Sequence, residues 1–482
     1  MKLKDLLRGI AVLETTADLE LEIGAVAYDS RKVTPGSLFV AVSGFASDGN
    51  RFIPMAMEKG AAAVVTAKKP EGDIPYIIVE NDRLALALIG CNYYGRPAES
   101  LKLIGVTGTN GKTSVTWLLK QVLEQVDCCK AGLIGTMENR IGELVIPTER
   151  TTPESFELQG LFAQMRDAGC KYAIMEVSSH AIALHRVGGV HFDVAAFTNL
   201  TEDHLDFHKT MEHYCDTKAE LFARCDAAVL NRDDSWFDRI SAKADCPIVT
   251  TSAKEEAGLQ ARDVHLLSDG ISMNVLSDGE EIPVKLPIPG RFTVYNVLTV
   301  LGIVKALGID LNQAAAALAN VQGVKGRIEV VPTPGKDYTV LIDYAHTPDG
   351  LENVLRSVRD FCKGRLIAVF GCGGDRDPIK RPIMGRIGVE LSDLAIITSD
   401  NPRTEDPEAI IRDIVAGVDP AMGNYEIIVN RRKAITFAMD IGEKDDIIIL
   451  AGKGHETYQE ICGVKHHLDE REEVAAYLME KR

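Results

Sequence analysis

The chain has 482 residues, more than one hydrophobic core supports and about right for three domains. Its 46% hydrophobic and 26% charged residues are ordinary for a globular protein. With 53 basic against 70 acidic residues the net charge is −17. That argues against a nucleic-acid binder, which needs a broad basic surface, but leaves room for a local anion pocket.

No run of 18 apolar residues occurs, so no membrane insertion is expected. The first residues, MKLKDLLRGIAVLETTADLE, carry scattered charges and no apolar segment of a secretory signal. Ten cysteines are dispersed without a CxxC pair, which speaks against a disulfide scaffold or zinc ribbon and fits a reducing cytoplasm.

Short apolar runs, each followed by a Gly-rich or polar loop and then a helical pattern, predict an α/β protein with parallel sheets. Residues 1–98 form a first block, with strands expected in GAVAYDS, SLFVAVSG, AAAVVT and PYIIVEN. Tyr94-Gly95-Arg96-Pro97 marks a boundary, since Gly and Pro interrupt both helix and strand. The second block, 99–329, opens with the strand Leu101–Val106 and continues through KYAIMEV, VAAFTNL and AAVLNRDD. Residues 262–288 alternate like a small antiparallel element, and a helix follows over Leu311–Asn320. In the third block, 330–482, three strands run into polar loops: RLIAVFG into GCGGDRD, LAIITS into DNPR, and DIIILAG into KGHE. In open parallel sheets ligands bind beyond the carboxyl ends of strands, so all three loops stand where chemistry is expected.

The sharpest motif is Gly108-Thr109-Asn110-Gly111-Lys112-Thr113-Ser114, between a strand and a helix. Its glycines let backbone N–H groups close around phosphates at a helix N-terminus; Lys112 can reach the β- and γ-phosphates and the Thr113 hydroxyl a Mg²⁺ ion. Val106 stands where the usual pattern has its first Gly, making this a shortened phosphate loop. Such a loop implies nucleotide binding but not which reaction follows.

Glu176 ends the strand YAIMEV and precedes Ser178-Ser179-His180, a position suited to a Mg²⁺ ligand or to an exposed strand end. His204 and His208 are spaced i, i+4 without HExxH or a nearby Cys, so a Mg²⁺-associated His204 is preferred over zinc, with an ordinary loop histidine the alternative. Lys218, read alone, is a surface lysine on a helix. Asp343 at a strand end, Asn296 and Arg327 are candidates for reaching a nucleotide. In the C-terminal loops Arg376 is one cation and Arg403 of Asp400-Asn401-Pro402-Arg403 another; the latter can fork onto a carboxylate or pair with Glu405 or Asp406. Gly452 to Glu456 completes the set, its acid suited to an ammonium group.

Together GTNGKT, EVSSH, NLTEDHLDFH, Tyr295-Asn296, Gly326-Arg327 and DYAHTP resemble the Mur ligases, ATP-dependent amide-forming enzymes of peptidoglycan synthesis. Asp29-Ser30-Arg31, LFVAVSG, Asp48-Gly49, GCGGDRD, DNPR and GKGHE resemble the member that adds the third stem-peptide residue, with DNPR the signature for meso-diaminopimelate. The resemblance implies three domains: one for the UDP end of the substrate, a central P-loop ATPase with a parallel sheet, and a C-terminal Rossmann-like domain for the amino acid. It implies ATP and Mg²⁺ as cofactors, with Lys112, Glu176, His204 and Lys218 catalytic and Thr113, Glu176, His204 and a carbamylated Lys218 at metals. Ser30, Gly44, Phe45, Ala46, Thr151, Thr152, Ser178 and Arg186 match positions that hold UDP-N-acetylmuramoyl-L-alanyl-D-glutamate. Arg376, Asp400, Asn401, Pro402, Arg403, Gly452 and Glu456 match positions for diaminopimelate. The chain departs from the family's frequent pattern at Leu184, often Gln, and at Phe45, often His. A cytoplasmic monomer is expected. Lysine as the added amino acid, a folate polyglutamate synthase and a non-catalytic P-loop module are the alternatives.

Overall fold

The computed structural model describes residues 1–44, 48–148 and 150–480. By compactness the chain divides into two units, 1–259 with 299–314, and 260–298 with 315–482. Each contains the α/β layering expected from the apolar runs.

In the first unit a five-stranded sheet has the order Val12–Thr15, Tyr76–Val79, Ala63–Thr66, Ser37–Val40, Ala25–Ala27. The last four run parallel and Val12–Thr15 is antiparallel to its neighbour. Ser37–Val40 and Ala63–Thr66 are buried throughout, as fits inner strands of a parallel sheet.

The same unit holds six parallel strands in the order Ile248–Ser252, Cys225–Asn231, Phe192–Phe197, Lys102–Thr107, Cys170–Glu176, Lys130–Ile134. The antiparallel strands Asn139–Ile141 and Leu144–Ile146 extend one edge. Lys102–Thr107 lies between strands that follow it on both sides, so the chain crosses over at its carboxyl end and opens a crevice there. The phosphate loop leaves from that end. The helix Lys112–Asp127 buries Val115, Leu118, Leu119, Val122 and Leu123, a single apolar stripe of helical period against the sheet.

In the second unit Gly270–Ser277 pairs with Glu280–Leu286 as an antiparallel hairpin, with alternating burial as the sequence predicted. A six-stranded sheet follows in the order Glu329–Val331, Thr339–Asp343, Ile447–Ala451, Leu366–Phe370, Leu394–Ile397, Tyr425–Ile427. Only Glu329–Val331 is antiparallel to its neighbour. The three strands predicted to carry chemistry are adjacent and parallel, which gathers their following loops at one sheet end. Apolar clusters cover both faces, around Leu341, Ala368 and Ile449 on one and Val340, Ile367 and Ile448 on the other. Among the described residues no helix is long and apolar enough to cross a membrane.

Candidate active site

The candidate residues fall into two groups, one in each unit. In the first unit Gly108 takes φ +144°, and a Cβ there would overlap the Thr198 hydroxyl, so only glycine lets the loop lie this close to the neighbouring strand end. The loop is stapled to that strand end: Thr109 N donates to Asn199 O at 2.8 Å and Asn110 N to Asn199 Oδ1 at 2.9 Å. Thr198 Oγ1 donates to Asn110 O at 2.6 Å. Gly111, at φ +86°, precedes the helix that starts at Lys112 and carries Ser114 in its first turn. Lys112 Nζ donates to Gly108 O and Thr109 O at 2.9 and 2.8 Å. Burial lowers its pKa, opposed by the carboxylates of Glu176 and Asp203.

Glu176 is 1% exposed at the end of its strand, not an exposed strand end. Its Oε2 accepts from Thr113 Oγ1 and Thr136 Oγ1, both at 3.0 Å, and its Oε1 from Thr136 N at 2.9 Å. A buried carboxylate beside two hydroxyl oxygens at a phosphate loop is a hard-oxygen set of the kind that would suit Mg²⁺. Thr136 was not singled out from the sequence; it lies in a loop without a motif, and only its contact with Glu176 reveals it.

His204 lies in the loop after the strand Phe192–Phe197. It takes φ +54° before the short helix Leu205–His208, with its ring 4.9 Å from that of His180. Among the described residues no group of three or more His, Cys, Asp or Glu side chains could hold a metal ion. The i, i+4 partner His208 is buried with Nε2 2.9 Å from Ser179 Oγ, and burial lowers its pKa to about 4.

Lys218 differs most from the reading of its local sequence. It is 1% exposed, not a surface lysine. Its Nζ donates to Gly108 O at 2.9 Å and lies 4.6 Å from the Tyr214 ring centre. Burial, reinforced by the charge of Lys112, holds its pKa well below the ordinary 10.5.

Thr151, Thr152, Ser178 and Arg186 come together beside Glu176. Thr152 Oγ1 donates to Glu176 O at 2.8 Å, and Ser178 N donates to Thr152 Oγ1 at 3.2 Å. Arg186 Nη1 donates to Thr152 O at 3.1 Å, and its Nη2 is 2.8 Å from Glu154 Oε1. Thr151 Oγ1 is 3.0 Å from Thr136 Oγ1. A cavity of about 1270 Å³ opens in this unit, lined by Ser30, Gly44, Met55, Arg83 and Glu154 among others. Phe45 and Ala46 lie outside the described residues.

In the second unit Asp343 is buried, and its oxygens already accept Ile328 N and Ala345 N at 2.8 Å each. It therefore braces the chain where the sheet begins, and burial raises its pKa. Arg327 is exposed with its guanidinium 5.6 Å from the Tyr344 ring centre, and Asn296 is buried on the helix Arg291–Ala306.

The DNPR loop is packed against GKGHE. Asn401 Nδ2 donates to Glu456 Oε2 at 2.9 Å. The fully buried Lys453 donates to Asn401 Oδ1 at 3.1 Å and to Glu456 Oε2 at 3.0 Å. The acid expected to meet a substrate ammonium thus already holds an internal one. Arg403, at φ +52°, donates from Nη1 to Gly374 O at 2.7 Å and lies 3.6 Å from Glu460. The pair with Glu405 or Asp406 considered from sequence is not formed; Glu405 instead binds Arg381 at 2.8 Å. The Arg403 side chain is 22% exposed, so it is half-buried rather than buried. Pro402 is buried in the loop, and Arg376 is exposed with Nη1 3.4 Å from Asp375 O.

Gly452, at φ +120°, leaves room for this packing, since a Cβ there would lie 2.5 Å from Asp400 Oδ2. Gly452→Ala is expected to lower the unfolding free energy by about 1–3 kcal/mol. A denaturant midpoint equal to that of the parent would show that the loop relaxes around the methyl group.

Comparison with known proteins identifies the family. The Mur ligase family catalytic domain matches residues 22–87, the Mur ligase middle domain 106–304, and the Mur ligase glutamate ligase domain 326–454. The UDP-N-acetylmuramoyl-L-alanyl-D-glutamate–2,6-diaminopimelate ligase of Clostridium tetani is 48% identical over 488 residues, covering 100% of both chains. The chain belongs to the Mur ligase family. The ligase of the same name from Clostridioides difficile is 46% identical over 98% of each chain. A solved structure bearing that name covers 100% of this chain and 99% of its own at a TM-score of 0.78 and 31% identity. As a Mur ligase, the chain is an ATP-dependent ligase with the three-domain α/β fold of that family.

Proposed function

We propose that this chain joins meso-diaminopimelate to UDP-N-acetylmuramoyl-L-alanyl-D-glutamate. The step belongs to the cytoplasmic part of peptidoglycan synthesis, which serves cell shape and division, and the enzyme acts as a monomer. The observation that carries the reading is the hydrogen bond from Asn401 to Glu456 at 2.9 Å, beside a half-buried Arg403. The chain is also 48% identical, end to end, to a relative named for this reaction. In this reading residues 1–98 take the UDP end, 99–329 ATP and 330–482 the amino acid.

A carboxylate is a poor electrophile. One of its oxygens attacks the γ-phosphorus of ATP, ADP leaves, and the resulting acyl phosphate carries a good leaving group. The amine of diaminopimelate then attacks the acyl carbon, loses a proton, and the tetrahedral centre collapses with release of phosphate. The protein's part is positioning and charge neutralisation. Lys112 and the loop N–H groups neutralise the transferring phosphoryl group, with Asn296, Arg327 and Asp343 assigned to the nucleotide. Thr113 and Glu176 would hold Mg²⁺, with His204 and a carbamylated Lys218 for a second ion; when bound, Mg²⁺ supplies Lewis-acid stabilisation of phosphate oxygens. Ser30, Gly44, Thr151, Thr152, Ser178 and Arg186 hold and orient the muramoyl-dipeptide.

Diaminopimelate differs from lysine by one distal carboxylate, which Arg403 receives. Phosphate release with ATP, Mg²⁺ and the UDP-muramoyl-dipeptide is expected with meso-diaminopimelate and not with L-lysine at equal concentration. Arg403→Ala is expected to raise KM for diaminopimelate ~30-fold, the lower end for a charged pair because the guanidinium is partly solvated, and to leave KM for ATP within about twofold. Release with lysine would overturn the specificity assigned to DNPR, and release with neither would favour a non-catalytic module.

A further inference from the structure

Beneath the DNPR and GKGHE loops lies a buried pair that the mechanism above does not use. Arg431 starts the helix Arg431–Asp440 and Glu470 the helix Glu470–Glu480; both side chains are fully buried. Arg431 Nε and Nη2 reach the same Glu470 Oε1 at 2.8 and 2.7 Å, and Nη2 also donates to Ala451 O at 2.9 Å. Ala451 immediately precedes Gly452, so the pair grips the root of the GKGHE loop. Arg431 Nη1 has no hydrogen-bond partner among the described residues and stands 4.0 Å from Asp400 Oδ2, which has none either. The other Asp400 oxygen accepts Asn401 N at 2.7 Å.

The charges do not cancel. Asp400, Glu456 and Glu470 are three carboxylates and Arg431 and Lys453 two cations, the Arg431–Glu470 and Lys453–Glu456 pairs being joined through Asp400 and its neighbour Asn401. Lys453 is committed to Glu456 and Asn401, and Arg431 to Glu470 and a carbonyl. One negative charge is left, and it falls to Asp400, 9% exposed at the loop side of the set. A buried charge without a full partner is unfavourable unless a cation arrives.

We infer that Arg431, anchored by Glu470, is a positioning residue that fixes the Asp400 carboxylate for the ammonium group of the amino-acid substrate, and that the unbalanced charge is that ammonium's counter-charge. The inference rests on the proposed use of these loops for diaminopimelate. Arg431 is too close to Asp400 to leave it free and too far to neutralise it by a hydrogen bond. It therefore sets where the carboxylate points without satisfying it.

Removing Arg431 alone strands a buried Glu470 and is expected to destabilise the fold, so the test uses Arg431→Met/Glu470→Met, which removes both charges and keeps apolar volume. Its Tm is expected to recover most of the loss seen in Arg431→Met. Its KM for diaminopimelate is expected to rise ~10–100-fold, the scale of a misplaced binding group, with KM for ATP and for the UDP-muramoyl-dipeptide within about twofold. Arg431→Lys keeps a cation against Glu470 but loses the fork, and is expected to raise the same KM several-fold at near-parental Tm. A parental KM for diaminopimelate in either variant, or an equal rise in all three KM values, would overturn the inference. Absence of diaminopimelate-dependent phosphate release by the parent would instead overturn the proposed function, and this inference with it.

Discussion

Lys112→Ala is expected to lower turnover, read as phosphate release at saturating substrates, by ~10³-fold or more. The amine lies within its own loop, bonded to Gly108 O and Thr109 O at 2.9 and 2.8 Å, while the loop is held by Thr198 and Asn199. Those strand-end bonds remain without the lysine, so the loss is expected to fall mainly on charge neutralisation in the transition state rather than on folding. Binding of a fluorescent ATP analogue is expected to weaken far less than turnover falls. A variant retaining a tenth of parental turnover would show that the loop amides and metal suffice.

The second large effect is assigned to Lys218. Carbamylation needs a neutral amine, and burial together with the nearby Lys112 charge favours that form far below the ordinary 10.5. Addition of CO₂ would turn a cation that repels Mg²⁺ into an anion that attracts it, next to the Gly108 carbonyl of the phosphate loop. Lys218→Ala is expected to reduce turnover ~10²–10³-fold with KM for diaminopimelate unchanged. Parent protein equilibrated with ¹³C-bicarbonate is expected to show one carbamate carbon in its NMR spectrum that the variant lacks. The same spectrum from both proteins would remove Lys218 from the metal chemistry, whatever the variant's turnover.

Glu176 is engaged by Thr113 and Thr136, whereas His204 stacks near His180 and Tyr214.

Local patterns carried much of the architecture. Parallel strands buried on both faces read as unbroken apolar runs, and each ends at a loop rich in glycine or charge; this is why GTNGKT, GCGGDRD, DNPR and GKGHE could be placed at strand ends from sequence. Strands without a buried face carry no such signal. Val12–Thr15 is exposed at all four positions, and Leu144–Ile146 is an edge strand with two exposed residues, so neither shows an apolar period.

By itself, then, the sequence determined the α/β class, the nucleotide loop and the order of the chemistry-bearing loops, because those depend on periodicity and on glycine within a few residues. Only the tertiary structure decided that Lys218 is buried against a carbonyl 110 residues away. It alone placed Thr136 on Glu176 and left Asp400 Oδ2 without a hydrogen-bond partner beside Arg431. Those outcomes depend on burial and charge balance between distant segments, and no local spacing encodes which distant side chain will remove a group from water or supply its counter-charge.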